Sequence, residues 1–470
     1  MDGFDSHIRI CDGIISYCTS FVNSVLTGWC IYAIINPKNQ NYVRIYERRE
    51  ENEERNRLTA AGRLIYGFME TYGIFKHLAT ENYYTAMSKC INSAVNTQQT
   101  QKSLKRITKN NIVYAHMGQL IISDGICYAS FIQNTGNDGE NHSSTTSGVV
   151  LAVFTLESVS SDTFDAERDV EIYPVGGKGD LCAGQRACSI FKDNSMCLVG
   201  DALYVCFSFI AEDGRSHIFR KIFDIKEKVW RDDVMAVLEY NGKTYDFSDE
   251  SLNIVYQEKG LAPRAKGLIE LVSAWNEYEG EYYATGVTID GPNNGFIVKT
   301  SDFKTMTLVD VVPFNDMGTA EIASHIYLGR LYVACRQDYG IPYLYFSYLD
   351  LKTMQWTHHY KLQDGNVRPW FFEYRGDLYL LNTIEEYHRR YTNISRVRAE
   401  DSPIGFYNRH SPVEIVATIK DCGSYFAVYP YNDDVYFVST LNTESFGKLA
   451  MHTFDPDAVN QKLAELFGMQ

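Results

Sequence analysis

The sequence predicts a mainly β fold, a six-bladed β-propeller preceded by a small α-helical domain. The first observation is a short motif that occurs six times: a turn built on Gly or Asp, then a hydrophobic strand with a tyrosine near its start. The aligned tyrosines lie 47 to 79 residues apart, which is typical of four-stranded units with loops of unequal length. They are Tyr128, Tyr204, Tyr283, Tyr332, Tyr379 and Tyr436.

A second motif alternates with the first at the same period. Asp224 and Asp350 each precede a tryptophan by six residues, and Asp302 precedes Leu308 by the same interval. The Asp can cap a tight turn through its side chain, and the tryptophan or leucine can pack between neighbouring sheets. We expect the tyrosine motif on inner strands, the Asp motif on outer strands, and loops that converge on one pocket. The alternative is an ordinary β-rich protein with repeated strand–turn–strand units.

The first hundred residues have a different pattern. Apolar residues between Leu58 and Phe75 recur at spacings of three and four, which predicts an amphipathic helix, and residues 82–96 predict another. Residues 13–36 carry no charge, but their Ser, Thr and Asn content favours a buried helix over a membrane span. The charged run 44–57 is predicted to be a solvated helical lead-in.

These patterns divide the chain into three parts. We predict a helical domain over residues 1–105, the propeller over 111–456 and a C-terminal helix or tail over 457–470. The boundary lies in the polar stretch 96–111, and the polar segment 134–148 is predicted to be a surface loop of the first blade.

Composition limits the partners and the compartment. The formal net charge of −15 over 470 residues argues against nucleic acid or an anionic membrane as a partner. Eleven cysteines, an odd number that includes Cys206 and Cys335 within strands, indicate reduced core residues. No secretory signal is evident at the N-terminus. We therefore expect a cytoplasmic protein, or a virion or cell-surface component delivered without a classical signal.

Metal and cofactor motifs are not apparent in the sequence. Cys182, Cys188 and Cys197 form the closest group of potential ligands, but their spacing matches no usual zinc site. We therefore expect neither a metal ion nor another cofactor.

The segment from Glu321 to Gly340 carries the strongest indication of function. Glu321 precedes a strand, Gly329 makes the turn, and Arg336 ends the tyrosine-bearing strand. This segment resembles the Glu-to-Arg element of the sialidase superfamily, whose propellers carry Asp-box (BNR) repeats. Arg368, followed by proline, is similar to another arginine-bearing strand of those propellers. The resemblance covers about residues 111–456.

The resemblance implies a carbohydrate-active protein that recognises an acidic glycan, with sialidase-type glycoside hydrolysis as the reaction. Guanidinium groups match carboxylates with two parallel donors, so Arg336 and Arg368 would bind the sugar carboxylate. Glu321 would accept the proton of a tyrosine nucleophile. The remaining candidates are Tyr387, Tyr407 and Tyr431 for the nucleophile, Asp338 and Glu385 for the acid, and Trp370 and Arg389 for substrate binding.

The sequence departs from the sialidase pattern in two respects. No Arg-Ile-Pro or close variant occurs in the first blade, and the Asp motifs lack the Gly and most of the Ser residues of a full Asp box. A non-catalytic glycan-binding or scaffold propeller, in an assembly such as a phage tail or envelope complex, therefore remains open. So does a uronate-specific polysaccharide lyase, in which His325 or a tyrosine would remove a proton.

The helical segment also carries a resemblance. Over about fifty residues it resembles helical hairpins from α/α-toroid sugar epimerases and lyases. The alternative is a module for packing, homo-oligomerisation or docking to an assembly.

Overall fold

The computed structural model divides the chain into two compact units, Met1–Thr80 and Glu81–Gln470. The described residues are 33–35, 43–45, 104–136, 144–261, 268–289, 295–313, 319–337, 343–357, 360–363, 367–384, 391–398, 412–420, 422–441 and 448–454.

In the first unit, β1 (Ala33–Ile35) pairs antiparallel with β2 (Val43–Ile45). These residues form strands where the sequence predicted helix. The short apolar run Ala33–Ile35 suits a strand as well as a helix, and the sequence pattern did not separate the two. The rest of the predicted helical domain and the predicted tail 457–470 lie outside the described residues.

The second unit is mainly β. Its described strands form six largely antiparallel sheets of four to seven strands. The first strand, β3 (Lys105–Arg106), belongs to the sixth sheet. The first sheet has β4 (Tyr114–Ser123), β5 (Ile126–Asn134), β6 (Ser147–Thr155) and β7 (Glu171–Gly177), and the second has β8 (Leu181–Cys182), β9 (Gln185–Val199), β10 (Ala202–Ala211), β11 (Ser216–Asp224) and β12 (Val229–Met235).

The third sheet is the largest. It contains β13 (Val237–Tyr240), β14 (Lys243–Asp246), β15 (Leu268–Leu271), β16 (Asn276–Tyr278), β17 (Glu281–Ile289), β18 (Gly295–Thr300) and β19 (Thr305–Val311). The fourth sheet contains β20 (Thr319–Tyr327), β21 (Arg330–Gln337), β22 (Tyr343–Asp350), β23 (Gln355–Trp356) and β24 (Tyr360–Gln363).

The last two sheets have four strands each. The fifth contains β25 (Val367–Tyr374), β26 (Asp377–Ile384), β27 (Tyr391–Val397) and β28 (Val413–Lys420). The sixth contains β29 (Ser424–Tyr431), β30 (Asp434–Leu441), β31 (Lys448–Phe454) and the early strand β3.

The sheets are arranged as a propeller, as the sequence predicted. The innermost strands β4, β9, β15, β20, β25 and β29 follow one another around an axis, with β16 and β17 contacting β20 and with β29 contacting β4. Strand β3 pairs with β31, so residues from the beginning and the end of the unit share one sheet. The propeller sheets therefore include Lys105 and Arg106, ahead of the predicted start at residue 111.

The tyrosine motif lies one strand further out than we expected. Its hydrophobic run forms the second strand of each sheet, because the Gly or Asp turn connects this strand to the innermost strand before it. Tyr128 and Tyr332 are both 2% exposed and pack between sheets. The residues nearest the axis are therefore those that precede the motif.

The Asp motif forms the turns that the sequence predicted. Oδ1 of Asp224, Asp302 and Asp350 accepts hydrogen bonds of 2.7 to 3.1 Å from the backbone N–H groups two and three residues later. Each turn joins the third and fourth strands of its sheet. Nε1 of Trp356 donates to Oδ2 of Asp310 in the preceding sheet at 2.9 Å, which confirms the predicted packing between neighbouring sheets.

A second set of tyrosines connects the sheets at the turn between the first and second strands. Tyr327, Tyr374 and Tyr431 are each the last residue of an innermost strand. The Tyr327 hydroxyl donates to the Gly376 carbonyl at 2.7 Å, and the Tyr374 hydroxyl donates to the Asp433 carbonyl at 2.9 Å. The Tyr431 hydroxyl accepts from the Gly125 N–H at 3.0 Å. We call Tyr327, Tyr374 and Tyr431 the tyrosine belt, since each reaches the turn of the next sheet.

Helices occur in connections between strands. The described ones are α1 (Leu156–Ser160) and α2 (Ala166–Asp169) between β6 and β7, and α3 (Asp249–Glu258) between β14 and β15. Ser248 caps α3 by accepting a hydrogen bond from the Ser251 N–H. Within the described ranges, no helix combines the length and the apolarity that a bilayer crossing requires. Residues 135–136 and 144–146 of the predicted loop 134–148 lie between β5 and β6, and residues 137–143 lie outside the described residues.

Candidate functional site

Five innermost strands are irregular near the end opposite to their turn. The pairing shifts register between His116 and Gln119 in β4, between Ile190 and Asn194 in β9, around Glu321 in β20, between Val367 and Trp370 in β25 and between Ser424 and Ala427 in β29. A bulge bends a strand and re-aims its side chains, and bulges are frequent next to active sites. We call this end of the innermost strands the bulge end.

Two of the bulged residues adopt a backbone conformation that is rare for residues with a side chain. Glu321 has φ of 52° and Tyr425 has φ of 54°, both in the left-handed region. Such strain costs on the order of 1–3 kcal/mol per residue and is concentrated at functional sites. It therefore marks these two residues as candidates.

The Glu321 carboxylate binds three hydrogen-bond donors. The Tyr425 hydroxyl donates to Oε1 at 2.7 Å, and Nη1 of Arg336, on β21, donates to the same oxygen at 3.0 Å. The backbone N–H of Arg368 donates to Oε2 at 2.8 Å. All three favour the charged carboxylate. A carboxylate in this position can accept the proton of Tyr425.

Arg336 is the member of this group that faces solvent. Its side chain is 19% exposed and that of Glu321 is 10% exposed, while Tyr425 is 3% exposed as a whole residue. Nη1 of Arg336 also lies 3.4 Å from the Tyr425 hydroxyl. Of these three residues, Arg336 is therefore the most accessible to solvent.

Arg368 directs its guanidinium into the interior. The residue is 1% exposed, and Nη2 donates to the Val272 carbonyl at 2.8 Å. Nη1 lies 2.9 Å from Oδ1 of Asp193, which is an ion-pair distance, although no N–H is directed at that oxygen as in a hydrogen bond. Cζ lies 5.5 Å from the centroid of the Trp370 ring. Arg368 thus connects the fifth sheet to the second and third sheets across the axis.

Trp370 packs in the core beneath this cluster. It is 4% exposed, and its Nε1 donates to the Val428 carbonyl of β29 at 3.1 Å. The sequence predicted Trp370 as a substrate contact. Its contacts among the described residues are instead those of a packing residue that supports Arg368.

His116 contacts the ring of Tyr425. The two ring centroids lie 4.1 Å apart, with the planes inclined at 59°. Nδ1 of His116 lies 3.1 Å from Oγ1 of Thr440. His116 is 5% exposed and Thr440 is 1% exposed. The imidazole therefore contributes a titratable group to the cluster.

Tyr425 and His116 were not among the site residues predicted from the sequence. A signal existed in both cases, because each precedes a motif turn by a distance similar to that of Arg368. A second signal was Gly423, which has φ of 93°, and a Cβ added there would lie 2.4 Å from the Thr440 carbonyl oxygen. A glycine is thus required for the close approach that brings Thr440 beside the bulge of β29.

His325 lies away from the cluster. It is four residues beyond Glu321 on β20, toward the turn end, and its Nε2 is 4.0 Å from Oε2 of Glu373. Burial lowers the pKa of His325 from its usual 6.5 to about 4. Tyr431, a predicted alternative nucleophile, lies in the tyrosine belt at the opposite end of β29 from Tyr425.

The other predicted candidates lie outside the described residues. These are Asp338, Glu385, Tyr387, Arg389 and Tyr407. The structure therefore brings together Glu321, Arg336 and Arg368 from the predicted set, and it adds Tyr425 and His116.

The fold is similar to that of sialidases of known structure. Trypanosoma rangeli sialidase in complex with the inhibitor DANA aligns with a TM-score of 0.52 at 10% identity, and its complex with 2,3-difluorosialic acid, a covalent intermediate, aligns with a TM-score of 0.51 at 12% identity. Each alignment covers 78% of this chain and 59 to 60% of the sialidase. The chain thus spans about 60% of the length of these neighbours. No family model and no curated protein sequence matches it.

Proposed function

We propose that the chain is a carbohydrate-active propeller, with its six sheets as blades, that binds an acidic glycan at the bulge end and hydrolyses it in the manner of a sialidase. The pairing of Tyr425 with Glu321 at 2.7 Å is the observation that carries this proposal. A tyrosine bonded to a carboxylate, beside a solvent-facing arginine, has the composition of an activated nucleophile next to an anion site. The sialidase-like fold supports the proposal.

Tyr425 serves as the nucleophile in the proposed reaction. Its oxygen attacks the anomeric carbon of the sugar while the phenolic proton passes to Oε1 of Glu321. The bond between this carbon and the leaving oxygen breaks, and an acid, for which Asp338 and Glu385 remain candidates, protonates that oxygen. Water then attacks the anomeric carbon and displaces the Tyr425 oxygen. One proton of this water passes to the acid that protonated the leaving oxygen, and the proton held by Glu321 returns to the Tyr425 oxygen. A neutral phenol suits an anomeric carbon that already bears a carboxylate.

The two arginines have different proposed roles. Arg336 binds the carboxylate of the sugar, since its side chain reaches solvent. Arg368 positions Glu321 through its backbone N–H, and its guanidinium stays in the interior. The sequence-based expectation was that Arg336 and Arg368 both bind the sugar carboxylate.

A second candidate function is glycan binding without hydrolysis. The 3% exposure of Tyr425 favours it, because an enclosed phenol has little access to a sugar. A lyase reaction through His325 is less well supported, because that histidine lies away from the cluster.

The test compares Glu321→Gln with the control variant Glu373→Gln, in which an exposed glutamate near His325 is changed. We expect the wild type and the control to release the fluorophore from an aryl sialoside, and Glu321→Gln to lose about 10²–10⁴-fold in rate because the proton acceptor is gone. Binding of sialyllactose without turnover by the wild type would indicate the binding function. A product with a new near-ultraviolet absorbance would indicate a lyase.

A further inference from the structure

We call Glu321, Arg336, Arg368, Asp193 and Tyr425 the axial cluster. The Glu321 carboxylate is paired with Arg336, and the Asp193 carboxylate lies beside Arg368. A sugar carboxylate that binds Arg336 therefore competes with Glu321 for the same cation and adds one negative charge to the cluster.

Among the described residues in contact with this cluster, His116 is one that can supply a compensating positive charge. Unperturbed histidine titrates near pH 6.5, whereas carboxyl, phenol and guanidinium groups ordinarily titrate well outside the range from 5.5 to 8.5. The imidazole is buried, so an added charge there is weakly screened by solvent. Its ring contacts the ring of Tyr425, whose hydroxyl bonds with Glu321 and Arg336.

The surroundings of His116 can accommodate the protonated form. Thr440, on β30, offers a hydroxyl oxygen to Nδ1, which can accept from an N–H of the imidazolium. The Tyr425 ring on β29 and the Tyr114 ring on β4 lie 4.1 and 5.6 Å from the imidazole, centroid to centroid, and aromatic faces attract cations. Glu321 and Arg336 contact the Tyr425 hydroxyl and so influence the imidazole through this residue. These groups reduce the free-energy cost of protonating His116 once an anion is bound nearby.

We propose that the site takes up a proton at His116 when it binds an acidic sugar, so that the affinity for the acidic ligand falls as the pH rises. This inference rests on the proposed function, because it concerns the same site. The proton comes from solvent, and no bond in the sugar is formed or broken. The ligand class that fits is a monocarboxylate sugar, and its neutral counterpart gains nothing from the added proton.

The test measures the binding of free N-acetylneuraminic acid by isothermal titration calorimetry from pH 5.5 to 8.5. Titrations at each pH in phosphate and in Tris, whose ionisation enthalpies differ, give the number of protons taken up. In the wild type we expect uptake that approaches one proton, and a dissociation constant that rises by about tenfold per pH unit above the histidine pKa.

Three variants separate His116 from other titrating groups. His116→Gln should bind weakly with little dependence on pH. His116→Arg, with a permanent charge, should bind with a flat pH profile and exceed the wild-type affinity at pH 8.5. His325→Gln, a histidine variant outside the cluster, should retain the wild-type pH dependence.

The outcomes distinguish this inference from the proposed function. Binding of the sugar by the wild type without proton uptake would overturn the inference and leave acidic-glycan recognition intact. A pH dependence that persists in a folded His116→Arg variant would assign the proton to another group. The wild-type proton count needs no variant and remains decisive if these substitutions prevent folding. Absence of binding at every pH would overturn the proposed function itself.

Discussion

The two ends of the innermost strands are built for different tasks. At the turn end, the tyrosine belt connects each strand to the next sheet through single hydrogen bonds between a tyrosine and a backbone group. At the bulge end, Glu321, Arg336 and Tyr425 form hydrogen bonds with one another, and the backbones of Glu321 and Tyr425 have positive φ. Removal of a belt contact should therefore affect stability alone. Removal of a contact among Glu321, Arg336 and Tyr425 should affect chemistry, whereas loss of the buried guanidinium of Arg368 should affect stability.

Strand β29 offers the most direct comparison, because it carries a tyrosine at each end. We expect Tyr425→Phe to reduce sialoside hydrolysis by about 10³-fold or more, since the nucleophilic oxygen is lost. Tyr431→Phe removes only the oxygen that accepts from Gly125 and should leave the rate within about twofold. Rates on an aryl sialoside, with melting temperatures of both variants, check the contrast. Equal losses at the two ends would show that the comparison is wrong.

A buried charge should separate the two ends in stability. Arg368→Leu leaves the Asp193 carboxylate, which is 3% exposed, without its nearby guanidinium. Loss of one partner from a buried ion pair costs about 3–5 kcal/mol. Arg375→Gln, at the exposed turn that follows β25, is the matched control and should change the free energy of unfolding by about 0.5 kcal/mol or less. Urea unfolding of both variants measures the difference, and a small effect of Arg368→Leu would remove Arg368 from the set of structural residues.

The belt should make a modest contribution at each position. Tyr374→Phe removes one hydrogen bond, from the hydroxyl to the Asp433 carbonyl, and should lower the free energy of unfolding by about 1 kcal/mol. Hydrolysis and glycan binding should be unchanged. A large loss of activity with no loss of stability would indicate that the turn end communicates with the site.

His325 leads to a prediction of another kind, a dependence of stability on pH. Its pKa is about 4 in the folded chain and near 6.5 when exposed. Between these values the unfolded chain binds the proton more readily, so stability should fall as the pH drops from about 6.5 toward 4. His325→Gln should flatten this part of the profile. Urea midpoints from pH 4 to 7 check it, and an unchanged slope in the variant would assign the dependence to other groups.

Much of the fold could be predicted because its signals are local. A few adjacent residues determine the turns beside Gly329 and Gly376 and the turns capped by Asp302 and Asp350. The regular recurrence of these turns predicts repeated sheets. Glu321 and Arg336 could be proposed as site residues because they lie on either side of one such turn. The three-residue strand Ala33–Ile35 could not be predicted, since a short apolar run fits a helix equally well.

The rest of the site depends on contacts between distant parts of the chain. Tyr425 meets Glu321 although 104 residues separate them in sequence, and His116 meets Thr440 across 324 residues. Only Gly423 and the bulge in β29 after this glycine distinguish Tyr425 locally from the other tyrosines. Arg368 was found, but its inward orientation depends on Asp193 and Val272, which no local pattern connects to it.

The sharing of one sheet by β3 and β31 has a consequence for the order of events during synthesis. Arg106 leaves the ribosome early, but its partner Ala450 emerges only after nearly the whole second unit has been made. The final sheet therefore cannot be completed before Ala450 has been synthesised, and the innermost strands cannot close into a circle earlier than that. The cluster that contains Tyr425, on the sixth sheet, is assembled late for the same reason.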